Sequence, residues 1–152
     1  MARFVYRMQS VLNIKQQTEN QTKMEFAVAQ SELNEQLDIL DEYIRRKEAY
    51  LEEAEELRNE ERLKLQEILD NQYATAQMDV MIKHQSQVVQ QYEDRVEKVR
   101  VRLTRNIQER KMQETLRDRA FAEFLEEEKQ EEAKENDQRT SFTYGQRQKE
   151  DN

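Results

Sequence analysis

The sequence predicts an all-α fold, a long two-helix antiparallel coiled-coil hairpin, on three observations. Proline is absent and the single glycine, Gly145, lies near the C-terminal end, so nothing punctuates the chain into strands and compact turns. Charged residues are 38% and hydrophobic ones 36%, the balance of helices sharing a narrow buried seam. Apolar residues also recur at heptad spacing through most of the 152 positions, as one side of a helix requires.

Taken in order, Phe4 to Ile14 is apolar on more than one face, and the polar stretch 15–23 contains nothing that ends a helix. Periodicity resumes at Met24, Phe26 and Ala29 and continues to Leu69, which predicts a first helix over about residues 3–69. Its central part, Leu33 to Leu57, carries three adjacent columns. They are Leu33, Leu40, Lys47 and Ala54; then Leu37, Ile44, Leu51 and Arg58; then Gln36, Tyr43, Tyr50 and Leu57. A coiled-coil seam needs two columns. The third is expected at the rim, carrying the tyrosines and free for an outside partner; the alternative is a wide seam whose tyrosine hydroxyls reach water.

The pattern lapses over Asp70 to Gln77, DNQYATAQ, where Asp70, Asn71 and Thr75 could end one helix and cap another. The turn is therefore expected near 70–77. A second run follows through Met78, Ile82, Val89, Tyr92, Val96, Val99, Leu103 and Ile107, restored at Phe121, Phe124 and Leu125. Residues 1–140 are assigned to the hairpin and 141–152 to a flexible polar tail.

Charge argues against the alternative, one uninterrupted helix in a parallel dimer. Residues 35–61 hold eleven acidic and four basic residues, and 95–111 hold seven basic and two acidic. Folding back near residue 73 would lay the acidic stretch beside residues 85–111, whereas a parallel dimer sets like against like. Exposed pairs contribute only about 0.2–1 kcal/mol each, so they select direction while the seam supplies stability.

The residues offer no catalytic or cofactor chemistry, and the protein is read as a non-enzyme without cofactor or metal. His84 has no carboxylate placed to pair with it, the acidic runs suit a solvated helix face, and no glycine-rich loop exists to cradle phosphate. No cysteine is present for a disulfide or thiolate site. The net charge of −8 disfavours nucleic acid and anionic membrane as partners. No apolar run suits a signal peptide or a membrane span, so a soluble cytoplasmic protein is expected.

The opening FVYRMQSVLNI, Phe4 to Ile14, resembles the start of the flagellar export protein FliJ family, and Gln36-x3-Leu40-x2-Tyr43 is similar to that family's pattern in the first helix. The resemblance covers essentially the whole chain. It implies a stalk of the flagellar type III export apparatus that links a hexameric export ATPase to the membrane export gate FlhA and assists export chaperones, recruited peripherally to the flagellar base. On that reading Gln36, Leu40, Tyr43 and Tyr50 are the expected gate contacts. Phe4, Val5, Tyr6, Met8 and Val11 are the expected contacts to the ATPase ring, the alternative being internal packing against Phe121 and Phe124. Two rival readings stay open: a structural coiled-coil spacer or scaffold, and the equivalent stalk of a virulence-type secretion system.

Overall fold

The computed structural model describes residues 2–151. Two long helices, α1 (Gln9–Asn59) and α2 (Leu65–Glu150), pack against each other, and no strand occurs among the described residues. The chain divides into two compact units, a hairpin unit of residues 20–105 and a terminal unit of residues 1–19 with 106–152.

In the hairpin unit, α1 contributes seam residues from Thr22 to Leu57 in alternating steps of four and three. From α2 come those from Ile68 to Leu103 in alternating steps of three and four, and every one of these positions is buried or half-buried. This is the spacing that keeps one stripe of a helix facing an antiparallel neighbour. Ala29, Leu33, Leu57, Met78 and Val89 are buried there, each large aliphatic contributing roughly 1.5–3 kcal/mol. Thr22, Asn71 and Gln85 are buried among them, and no buried side-chain polar atom among the described residues lacks a partner.

Asn71 and Gln85 form cross-helix rungs. Gln85 Nε2 donates to the Gln36 side-chain oxygen at 2.9 Å and to its carbonyl at 3.0 Å. Asn71 Nδ2 donates to the Tyr50 carbonyl at 2.8 Å. Lys47 Nζ lies 2.6 Å from Asp79 Oδ1, Arg95 Nη1 lies 2.9 Å from Glu32 Oε2, and Arg102 pairs with Glu25. If Gln36 and Gln85 are both replaced by cysteine, a short thiol crosslinker should close a loop within one chain. Gel mobility should then change without any doubling of mass.

The reversal falls at residues 60–64, not at 70–77. Seam positions counted on from α1 fall on Glu61 and Lys64, which have nothing to bury, and Leu63 and Leu65 beside them are 68% and 69% exposed. Six glutamates between Glu52 and Glu61 crowd the C-terminal end of α1, where the helix dipole disfavours negative charge. The residues that resemble caps have other work. Asn71 is a buried rung, and the Thr75 hydroxyl donates to the Asn71 carbonyl at 2.9 Å within an unbroken helix.

Moving the turn moves the charges. The acidic stretch 35–61 lies beside residues 63–89, where Lys64 and Lys83 are outnumbered by Glu67, Asp70 and Asp79. Arg95 and Arg102 are met instead by Glu32 and Glu25. The helices are antiparallel as expected, but the acidic stretch does not lie beside the basic one, and the acidic end of the hairpin stays uncompensated.

In the terminal unit α1 begins at Gln9 rather than near residue 3. The Phe4 ring packs on Phe121 and Phe124 with centroids 5.1 and 5.4 Å away, and the Tyr6 hydroxyl donates to Gln113 Oε1 at 3.1 Å. A turn closed by Gln9 N–H donating to the Tyr6 carbonyl at 3.1 Å then starts the helix. Leu12 is fully buried, Lys15 Nζ lies 3.0 Å from Glu109, and Arg110 joins the buried Glu19 and Glu114. These two carboxylates hold the Arg110 guanidinium above its ordinary pKa, Glu114 more than Glu19. Residues 141–150, expected as a loose tail, continue α2 to Glu150, with every residue from 131 to 151 exposed.

Candidate interaction site

Among the described residues no cluster could hold a metal ion, and no helix is long and apolar enough to cross a membrane. His84 is exposed on α2. The surfaces that remain are those beside the seam.

Gln36, Leu40, Tyr43 and Tyr50 are all half-buried, and they belong to the two columns that face α2. The rim column is the other one: Leu37 is half-buried, Ile44 is 38% exposed and Leu51 is 50% exposed. The expected assignment of rim and seam is thus reversed. The reason lies upstream, where the column of Leu37 continues backward as Gln30 and Lys23, whereas that of Gln36 continues as Ala29 and Thr22. Only the second can pack along the whole hairpin.

Seam placement does not hide the tyrosines. Arg46 stacks at 6.0 Å from the Tyr43 ring centroid while its guanidinium binds Glu42 at 2.7 Å, so the outer edge of Tyr43 meets a cation at the surface. Half-buried Ala74, Met81 and Val88 of α2 share the heptad position that borders this edge. Gln36, Tyr43 and Tyr50 therefore line a shallow strip, apolar in its rings and polar at its tips, in which the Gln36 side chain is fixed by Gln85. The rungs were not anticipated, although Asn71 and Gln85 stand two heptads apart and so share one column.

The family model for Flagellar FliJ protein matches residues 4–149, nearly the full length. The chain belongs to the flagellar FliJ family. No curated protein and no solved structure matches it. Membership makes this FliJ-family chain a component of the flagellar export apparatus, in a family not known for enzymatic activity.

In this FliJ-family chain the five N-terminal candidates separate into two groups. Phe4 and Tyr6 turn inward onto α2 and Val11 is half-buried, so these three pack internally. Val5 at 76% and Met8 at 44% exposure point away, and they are the pair available to a partner.

Proposed function

We propose that the chain is a non-enzymatic stalk that couples the hexameric flagellar export ATPase to the export gate FlhA and assists export chaperones from the cytoplasmic side of the flagellar base. The observation that carries this reading is the family match over residues 4–149, which also favours a flagellar stalk over a generic spacer or a virulence-type relative. The site chemistry agrees with it. A coupling element needs no catalytic group; it must bind two partners with affinities that depend on their states. Val5 and Met8 supply exposed apolar contacts for the ATPase ring, and the strip of Gln36, Tyr43 and Tyr50, with half-buried Leu40 in the neighbouring seam column, supplies contacts for the gate.

The test uses the intact chain with purified export ATPase and gate. Added chain should change ATPase turnover, and Val5→Asp with Met8→Asp should abolish that change while helix content stays constant. Tyr43→Ala with Tyr50→Ala should weaken gate binding about tenfold or more, leaving the effect on turnover in place. A chain that alters neither turnover nor gate binding is not a stalk.

A further inference from the structure

The hairpin unit has a second surface, on the edge of the seam opposite the tyrosine strip. The rim column of α1 is polar at Lys23 and Gln30, apolar at Leu37, Ile44 and Leu51, and charged again at Arg58. An apolar run confined to three consecutive heptads, with Ile44 and Leu51 38% and 50% exposed, is the length of a docking patch and not of a seam. It spans roughly 21 Å along the helix at 1.5 Å per residue.

Beside the last of these residues, the surface is concave. Leu51, Ala54, Leu57, Ile68, Thr75 and Ala76 line a groove of about 260 Å³. Its cause is local, because Ala54 and Thr75 are small residues at seam positions and leave the space under Leu51 unfilled. Such a hole between two helices accepts one large side chain of a third.

Charge states which third helix. Asp41, Glu48 and Glu55 each follow an apolar rim residue by four positions, so an acidic row runs alongside the apolar one. All three are exposed, and none forms an ion pair among the described residues. On the α2 side the bank is formed by Gln72 and by Asp79, which is already held by Lys47. Within this unit no ion pair answers the acidic row, although Arg58 stands at its C-terminal end and lines the groove. A second copy answers it poorly, since its Arg95 and Arg102 are engaged with Glu32 and Glu25 on the opposite edge.

We infer that this edge of the hairpin receives a basic amphipathic helix from a partner protein. Its apolar side chains lie along Leu37, Ile44 and Leu51, one of them enters the groove over Ala54, and its lysines or arginines face Asp41, Glu48 and Glu55. The docked region is then a local three-helix bundle. The surface is distinct from the strip proposed for the gate, and its occupancy leaves Tyr43 and Tyr50 free.

The test is binding of a synthetic three-heptad helix, leucine on its apolar face and lysine on both flanks, to the full chain. A matched helix with glutamate flanks is the control. The lysine helix should bind, and the glutamate helix should not. Ile44→Ser with Leu51→Ser should weaken binding about tenfold, as should Glu48→Lys with Glu55→Lys, a surface change that leaves the seam untouched. A photocrosslinker at Gln72 should capture the lysine helix, and one at Tyr73 should not. Binding of both helices would overturn the inference by reducing it to apolar association without regard to charge, and binding of the lysine helix that survives Ile44→Ser with Leu51→Ser would overturn it by reducing it to unspecific charge attraction. So would a dimer of the chain itself that the same substitutions abolish, because the occupant would then be a second copy.

Discussion

Leu12→Ala should lower the unfolding free energy by about 3 kcal/mol, the largest single-residue effect expected in the protein. Leu12 has no exposed surface, whereas the other buried apolar residues retain 4–8%. Its neighbours cannot close over the cavity, because Lys15 is tied to Glu109 and Glu19 to Arg110 on the next turns of α1. The loss should be confined to the terminal unit. Hydrogen exchange should accelerate over residues 9–19 and 106–124 while amides of the hairpin unit keep their protection. An equal loss of protection in both units would mean that the two unfold together.

The second large effect concerns Gln85. Gln85→Ala should cost about 1–3 kcal/mol, since truncation deprives the Gln36 amide of its partner in a half-buried seam. Replacing both Gln36 and Gln85 by leucine should instead raise the melting temperature, as apolar pairs usually do in place of buried polar ones. The doubly substituted protein should pair its helices less faithfully. With Lys47 and Asp79 both changed to cysteine, a short thiol crosslinker should close the loop efficiently in the parent and less efficiently in the leucine variant. Equal efficiency in both would show that the amide rung adds stability alone and does not set alignment.

Fold class was legible because it rests on features spread over many residues, no proline and heptad spacing, whereas the antiparallel sense was argued from an acidic stretch beside a basic one, a pairing that the turn at 60–64 does not make. The turn was not legible, for a definite reason. Seam positions of α1, continued by sevens, run through Glu61 and Ile68 in one column and through Lys64 and Asn71 in the other, so both helices carry one unbroken phase. Periodicity is silent about a reversal that does not disturb it, and only the two charged seam positions mark the place. Asn71 and Thr75 misled because a polar residue that bridges two helices has the same composition as one that caps a helix.

The candidate site was legible in its residues but not in its orientation. Three adjacent columns between residues 33 and 57 are all apolar enough to face a partner, and their local composition favours Leu37, Ile44 and Leu51. The deciding positions lie a heptad or two away, at Ala29 and Thr22 against Gln30 and Lys23. At the N-terminus the apolar residues left two partners open, the ATPase ring and internal packing against Phe121 and Phe124. Phe121 and Phe124 answer for Phe4, which leaves Val5 and Met8 as the unanswered part.

One unbroken phase has a further consequence for assembly. Sliding α2 by seven residues along α1 exchanges like seam columns for like, so the greasy layers alone rank the slid alignments close to the native one. The choice among them is made by a handful of amides and ion pairs, Gln36 with Gln85, Asn71 with the Tyr50 carbonyl, and Lys47 with Asp79. They act as a vernier whose graduations are one heptad, about 10 Å, apart. Fidelity in this protein is carried by its least hydrophobic interior residues.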